Sequence, residues 1–302
     1  GIVFEVVERR DVASPGDKMT TRNVSDTMKP PRSYACKVVD LISSGADADS
    51  SAKASQSRTK YIINEIEMMA GPCAGHPNVQ DIIDYFVEDD KAYIVSSLCR
   101  GGDLAQALEM RGCLCEEDAR SVMAGILRGL AHLHSRGVVH RDIKLENILL
   151  TDSKHDMSKV KIIDMGFAKQ LASSYTTPGG VETYNTVCGT PMYIAPEIIR
   201  GTVQTGKIQS EARYGTQADM WSAGVILYYL LSGCPPFEAA TDMTSIIELF
   251  EDIAKAEYDF WDPIWETVSE EALDIIEALL EADPAKRLTA EEALRHRWMS
   301  DL

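Results

Sequence analysis

Two nearby stretches carry the interpretation of this chain: His140-Arg141-Asp142-Ile143-Lys144-Leu145-Glu146-Asn147 and Lys161-Ile162-Ile163-Asp164-Met165-Gly166. Phosphoryl transfer needs a carboxylate that takes a hydroxyl proton, positive charge on the moving phosphate, and oxygen ligands for Mg²⁺. Asp142 can orient and deprotonate the hydroxyl, and Lys144 can hold the γ-phosphate. Asn147 offers an amide oxygen to Mg²⁺, and Asp164, at the end of an apolar strand, offers a carboxylate. The two stretches therefore predict a site for ATP and Mg²⁺.

Further motifs follow in order along the chain: Ala195-Pro196-Glu197, Asp219-Met220-Trp221-Ser222-Ala223-Gly224, and Arg287 in the closing helical region. With the stretches above, they make the chain resemble the eukaryotic protein kinases over nearly its whole length. The resemblance implies an α+β, bilobal fold with a small β-rich lobe and a large helical lobe. It also implies ATP-dependent phosphorylation of proteins, while a nucleotide-independent scaffold on the same fold is the alternative.

The resemblance assigns roles to residues upstream of the first stretch. Lys37, in Ala35-Cys36-Lys37, matches the lysine that grips the α- and β-phosphates of ATP. Glu65 matches its ion-pair partner on a mobile helix, and Glu67 is the other candidate. The remaining implied nucleotide-binding residues surround the adenine and ribose or flank the metal ligands: Val3, Ala35, Ser97, Cys99, Asp103, Glu146 and Leu149.

Periodicity divides the chain into two parts. Residues 1–7, 34–41, 79–87 and 91–98 read as strands, and residues 61–70 have helical spacing. After Gly101-Gly102 the segments 103–110, 115–136, 216–232, 241–256, 269–282 and 289–297 read as helices, the last with a capping box at Thr289 and Glu292. We expect an N-lobe over residues 1–100 and a C-lobe over 101–302, with polar insertions at 8–32 and 43–57. The second insertion, rich in Ser and Ala, is expected to be mobile.

Serine/threonine specificity is implied by Lys144, two residues after the base, and by Thr190 in Cys188-Gly189-Thr190-Pro191. Within the family, the chain looks most like the calcium/calmodulin-regulated and calcium-dependent kinases. This resemblance lies in the residues of segments 255–260 and 283–287 and in Trp265. Asp103 and Glu146 stand where relatives that prefer basic substrates bind arginine, so we expect protein substrates with basic residues before the acceptor.

The activation segment is a further expected site of regulation. The resemblance favours phosphorylation at Thr186, with Thr183 and Tyr184 as alternatives. The cation that would pair with such a phosphate is Arg141, directly before the catalytic base.

The chain departs from the kinase pattern in two places. Of the glycine-rich loop, G-x-G-x-x-G-x-V, the sequence contains the closing Gly1-Ile2-Val3 and lacks the first two glycines. If nothing precedes Gly1, we expect the lack of these glycines to weaken ATP binding. Met165 stands where phenylalanine is usual, and an unbranched apolar side chain can fill that position. No calcium-binding loop or calmodulin-binding segment occurs in the sequence, so regulation by calmodulin or another calcium sensor is expected to lie outside this chain.

Composition limits the other partners. A net charge of −17 argues against a nucleic-acid binder, which needs a basic surface.

Seven cysteines form no disulfide framework, which predicts a reducing compartment, the cytoplasm or also the nucleus. Cys113 and Cys115 lack a second pair at zinc spacing, so we expect no metal site of protein ligands alone. No signal peptide is visible, and the longest apolar run, 223–231, is too short to span a membrane and predicts a buried helix.

Overall fold

A computed structural model describes residues 2–7, 32–41, 48–152, 156–171, 182–184, 191–203, 212–238 and 243–300 of the chain. The chain divides into two compact units. Unit 1 consists of Gly1–Lys60 and Ile82–Leu98, and unit 2 of Tyr61–Asp81 and Cys99–Leu302. Unit 2 thus includes Tyr61–Asp81, which the two-lobe prediction assigned to the first lobe.

Unit 1 contains an antiparallel sheet of four strands: β1 (Ile2–Val7), β2 (Ser33–Asp40), β3 (Asp84–Glu88) and β4 (Lys91–Ser97), in the order β1-β2-β4-β3. Burial alternates along β4, where Ala92, Ile94 and Ser96 are buried and the residues between them are half-buried. This period of two is what a sheet with one covered face requires. The predicted strand at residues 79–87 is wrong in its first half, since β3 begins only at Asp84. The amide of Gln80 instead donates to the carbonyl of Ile162 in unit 2, at 2.8 Å.

Helix α1 (Ala48–Ala70) begins much earlier than predicted. Residues 48–57 belong to the insertion that was expected to be mobile because of its low complexity. In the structure the segment ADSSAKASQS continues the helix backwards from the periodic stretch at 61–70, so the start predicted at residue 61 is too late. Alanine is the best helix former and lysine and glutamine are good ones, so the backbone propensity of this segment suits a helix despite its lack of an apolar stripe.

Unit 2 is mainly helical. Its helices are α2 (Leu104–Arg111), α3 (Glu116–Ser135), α4 (Pro196–Val203), α5 (Thr216–Ser232), α6 (Met243–Lys255), α7 (Glu270–Leu279) and α8 (Ala290–Leu294). Its described residues also form three two-stranded pairs: β5 (Val138–Val139) with β8 (Lys169–Gln170), β6 (Ile148–Leu150) with β7 (Val160–Ile162), and β9 (Glu182–Tyr184) with β10 (Ala212–Tyr214). A strand-rich part followed by a helical part confirms the predicted α+β fold class.

The core of unit 2 forms around α5. The side chains of Trp221, Ala223 and Val225 are fully buried, which confirms the buried helix predicted from the apolar run. A Cβ on Gly224 would lie 2.9 Å from the Leu279 side chain, so α5 and α7 pack at a distance that only glycine permits. The predicted capping box at Thr289 and Glu292 is also confirmed. Within the described residues, no helix combines the length and apolarity needed to cross a membrane.

Candidate active site

The β6–β7 hairpin brings Asn147 and Asp164 to the same end of two paired strands. Ile148 pairs with Ile162 in antiparallel register, so the residue before Ile148 faces the residue after Ile162. The amide of Ile163 accordingly donates to the carbonyl of Asn147 at 2.9 Å. The two predicted Mg²⁺ ligands are thereby within about one residue of each other across the hairpin.

The loop that precedes the hairpin gathers three predicted residues. Asp142 is buried, and its Oδ2 lies 2.8 Å from the Nζ of Lys144. Asn147 donates through Nδ2 to the same Oδ2 at 2.9 Å and to the main-chain carbonyl of Asp142 at 2.7 Å. These contacts hold the Asp142 carboxylate beside a cation and an amide, where it can accept a proton from a hydroxyl group.

The donor set fits Mg²⁺. Because Nδ2 of Asn147 donates to Asp142, the amide is oriented so that its oxygen points away from Asp142 and can act as a ligand. That oxygen and the Asp164 carboxylate are hard donors of the kind that Mg²⁺ prefers, and phosphates and water complete such sparse sites. Among the described residues, no group of three or more His, Cys, Asp or Glu side chains could hold a metal by itself.

Asp219 of α5 holds the main chain of the loop that precedes Asp142. Its Oδ2 accepts from the amide of His140 at 2.9 Å and lies 2.8 Å from Nε2 of His134, while its Oδ1 accepts from the amide of Arg141 at 2.9 Å. Arg141 has φ 68°, a left-handed backbone that non-glycine residues rarely adopt. The hydrogen bonds that the two main-chain amides donate to Asp219 stabilise this conformation immediately before Asp142.

The environment of Asp219 also sets its pKa. Burial raises the pKa of this carboxyl, but its hydrogen bond with His134, its attraction to His134 and His140, and its bond with the His140 amide outweigh burial and lower the pKa overall. Asp219 is therefore suited to remain a carboxylate inside the core. The sequence analysis placed this residue in a family motif and missed its role, because its hydrogen-bond partners lie 78 and more residues away.

Two further residues that the sequence analysis missed contact the Asp164 segment from α1. The hydroxyl of Tyr61 donates to Oδ1 of Asp164 at 2.7 Å, and the amide of Gly166 donates to the same oxygen at 3.3 Å. Burial and the neighbouring Asp164 carboxylate raise the pKa of the Tyr61 phenol, so the phenol stays protonated and can act as the donor. Asn64 donates through Nδ2 to main-chain carbonyls in the same segment. The sequence signal that could have indicated this contact is the spacing of Tyr61 and Asn64, which places two polar side chains one turn apart on α1.

A buried ion pair supports the segment after the active site. The Arg287 side chain is fully buried and donates from Nη1 and Nη2 to the two carboxylate oxygens of Glu197 at 2.9 and 3.0 Å. Its Nε donates to the carbonyl of Glu281 at 2.9 Å, and its guanidinium carbon lies 5.2 Å from the centre of the Trp221 ring. The Ala-Pro-Glu motif is in this way attached to the core.

The predicted residues of unit 1 lie on its sheet. Lys37 is on β2, opposite Val3 of β1 and Ile94 of β4, and Ala35 is opposite Ser96. Val3 is 61% exposed, and Ala35, Lys37 and Ser97 are half-buried. Glu65, by contrast, belongs to the part of α1 in unit 2 and is buried.

Unit 2 contains the other predicted nucleotide-binding residues. Asp103 caps the N-terminus of α2, where its Oδ1 accepts the amide of Gln106 at 2.8 Å, and it forms a β-bridge with Leu149. Cys99 is half-buried, and burial raises the pKa of its thiol. Glu146 is exposed directly before Asn147. Thr186, Cys188 and Thr190, which carried the predictions about the activation segment, lie outside the described residues.

Comparison with known proteins gives matches to protein kinases. The family described as protein kinase domain matches residues 30–299. The chain is 42% identical over 229 residues to CDPK-related kinase 5 of Arabidopsis thaliana, which covers 76% of this chain and 34% of that protein. It is 39% identical over 250 residues to the probable serine/threonine-protein kinase fhkD of Dictyostelium discoideum, covering 82% of this chain and 32% of that protein. It is 37% identical over 248 residues to human calcium/calmodulin-dependent protein kinase type 1B, covering 82% and 65%. The chain thus spans about a third of the length of the first two relatives.

Proposed function

Because this chain belongs to the protein kinase family, with serine/threonine kinases among its relatives, we propose that it transfers the γ-phosphate of Mg-ATP to serine and threonine hydroxyls of proteins. The observation that carries the proposal is the contact geometry of Asp142. Its buried carboxylate lies 2.8 Å from the Lys144 ammonium and 2.9 Å from the Asn147 amide. A scaffold that binds no nucleotide has no need of this arrangement beside two oxygen ligands for a metal.

In the proposed reaction, Asp142 accepts the proton of the substrate hydroxyl. The hydroxyl oxygen then forms a bond to the γ-phosphorus, the bond from that phosphorus to the bridging oxygen breaks, and ADP leaves with the electron pair. Lys144 moves no proton; its positive charge stabilises the negative charge on the phosphoryl oxygens during transfer. When bound by Asn147 and Asp164, Mg²⁺ supplies further charge neutralisation and orients the phosphates. Lys37 is proposed to bind the α- and β-phosphates, with Glu65 as its ion-pair partner.

The experiment separates the base from the metal ligand. Asp142→Asn should reduce transfer of phosphate to a peptide by about 10²- to 10⁴-fold, the range for loss of a general base. It should leave nucleotide binding intact, since Asp142 acts on the acceptor. Asp164→Asn should instead weaken nucleotide binding in Mg²⁺ and leave binding in EDTA unchanged. Isothermal titration calorimetry and a phosphate-transfer assay measure the two effects.

Asp156→Asn is the matched control, because it makes the same chemical change in an exposed turn. It should match the unmodified protein in both assays. Turnover of Asp142→Asn within about twofold of the unmodified protein would show that Asp142 is not the base. Absence of Mg-ATP binding by the unmodified protein would favour the scaffold alternative.

For substrate choice, we propose a preference for basic residues before the acceptor, chiefly three positions before it. Glu146 is exposed next to the catalytic loop, and the net charge of −17 attracts a basic peptide. Burial raises the pKa of the Tyr229 phenol, and the nearby negative charges of Glu238 and Glu146 raise it further. Tyr229 stands where some relatives have a second glutamate, so a strong demand two positions before the acceptor is not expected.

For regulation, we propose control by calmodulin or another calcium sensor acting through parts of the protein beyond residues 1–302, and a location in the cytoplasm or nucleus. The support is similarity to kinases whose names include calcium/calmodulin-dependent and CDPK-related, together with six described cysteines that are in no disulfide. Titrating the full-length protein with Ca²⁺, with and without calmodulin, tests the first point. Unchanged phosphate transfer across both titrations contradicts it.

A further inference from the structure

Tyr61 and Asn64 lie on one face of α1 and bind the segment that begins at Asp164. Residues three apart on a helix are neighbours on its surface. Tyr61 donates its hydroxyl to Oδ1 of Asp164 at 2.7 Å. Nδ2 of Asn64 lies 3.3, 3.0 and 2.9 Å from the carbonyl oxygens of Met165, Gly166 and Ala168. One helix face therefore holds both the carboxylate and the main chain that follows it.

The Tyr61 ring is confined as well as hydrogen-bonded. It meets the ring of Phe167 edge to face, with 5.0 Å between the ring centres. A Cβ added to Gly166 would lie 1.9 Å from Cζ of Tyr61, so the ring also occupies space that only glycine leaves open. Because Phe167 and Gly166 both pack against the ring, the position of the phenol oxygen is set independently of its hydrogen bond.

The Asp164 carboxylate needs such support. Asp164 has φ 66°, a backbone conformation that is unfavourable for a residue with a side chain. Its Oδ1 receives both the phenol hydroxyl and the Gly166 amide. Two donors on one oxygen define the rotation of the carboxylate plane, and hydrogen bonds from O–H to a charged oxygen are among the strong ones.

We propose that Tyr61 is a positioning residue for Mg²⁺ binding: its hydroxyl fixes the carboxylate plane of Asp164 in the orientation that binds the metal with ATP. This inference rests on the proposed function, in which Asp164 is a metal ligand. Groups that orient metal ligands through a hydrogen bond affect metal affinity by about 10- to 100-fold when they are removed. Asn64 contributes by holding the main chain after Asp164 through its carbonyl groups.

Tyr61→Phe is the test, because it removes the hydroxyl and keeps the ring that packs against Phe167 and Gly166. The dissociation constant of the ATP analogue AMP-PNP should rise about tenfold in Mg²⁺ and remain unchanged in EDTA. Direct Mn²⁺ binding in the presence of AMP-PNP, followed by electron paramagnetic resonance, should weaken by the same factor. A residue that only supports the fold would change the melting temperature and would change binding in both buffers alike.

Tyr228→Phe is the matched control. It removes a hydroxyl that donates to a carbonyl at 2.8 Å, that of Asp259, far along the chain from Asp164. We expect unchanged metal and nucleotide binding for this variant. Equal binding of AMP-PNP in Mg²⁺ by Tyr61→Phe and the unmodified protein overturns the positioning role, and so does tighter binding by the variant, which would make Tyr61 a competitor of the metal. If the unmodified protein binds AMP-PNP equally in Mg²⁺ and EDTA, the proposed function itself fails.

Discussion

Replacing Glu197 with glutamine should destabilise unit 2 through Arg287. The substitution keeps the shape of the side chain and removes its charge. Arg287 would then remain fully buried with its charge uncompensated, since its other hydrogen bonds within the described part of the chain are to the neutral carbonyls of Glu281 and Gln217. Burial prevents water from replacing the lost carboxylate.

The expected cost follows from that burial. Removing one partner of a buried ion pair costs about 3–5 kcal/mol. Glu197 retains 16% of its side-chain exposure, so we take the lower end of the range. A loss of about 3 kcal/mol lowers the melting temperature by roughly 6 °C, because a large domain shifts by about 2 °C per kcal/mol.

Glu257→Gln is the matched control for this change. Glu257 pairs with Lys255 at 3.5 Å, but the two side chains are 61% and 56% exposed. An exposed pair contributes about 0–1 kcal/mol, so the melting temperature should move by at most about 2 °C. Thermal unfolding followed by circular dichroism measures both variants under the same conditions.

A double-mutant cycle completes the experiment. The double variant Arg287→Met with Glu197→Gln should lose less free energy of unfolding than the sum of the two single losses, by about 1 kcal/mol or more. The reason is that the buried charge that Glu197→Gln leaves without a counter-ion is absent from the double variant. If Glu197→Gln shifts the melting temperature no more than Glu257→Gln, the buried pair does not stabilise the fold as argued. Additive single changes would lead to the same conclusion.

Two further predictions concern pH and substrate choice. Because the pKa of Asp219 is lowered in the fold, its carboxylate stabilises the protein above the pKa of the unfolded chain, about 3.9, and this contribution is lost as pH falls through the lower folded pKa. Asp219→Asn should therefore be less stable than the unmodified protein at pH 7 and lose less stability between pH 5 and 3; parallel urea-unfolding midpoints over that range would refute this. Glu146→Gln should slow phosphorylation of a peptide with arginine three positions before the serine by about fivefold, since one exposed ion pair contributes on the order of 1 kcal/mol. The same peptide with alanine there is the control, and equal slowing of both peptides would exclude Glu146 from recognition.

The reacting groups of the proposed site were accessible from the sequence because their chemistry depends on residue type at short spacing. Asp142, Lys144 and Asn147 lie within six positions of the chain, and the structure places them in contact. Asn147 and Asp164 are joined by a hairpin, and the sequence predicted its second strand, the apolar one that ends at Asp164. The buried character of α5 followed from its apolar run for the same reason.

The sequence pattern gave wrong element boundaries where the backbone conformation depends on neighbouring segments. The segment at 48–57 lacks an apolar stripe, yet α1 includes it from Ala48 onward, since propagating a helix that already exists costs less than starting one. Val79 has strand-like neighbours, but the main chain there pairs with Ile162 rather than extending β3.

The sequence by itself determined the fold class, the family and the candidate reacting groups, because these follow from periodicity and from residue types at fixed local spacing. The tertiary structure decided what holds those groups in place. Tyr61 reaches Asp164 across 103 positions, Asp219 reaches Arg141 across 78, and Arg287 reaches Glu197 across 90. Such pairs are chosen by packing, which brings distant segments together and requires each buried polar group to find a partner.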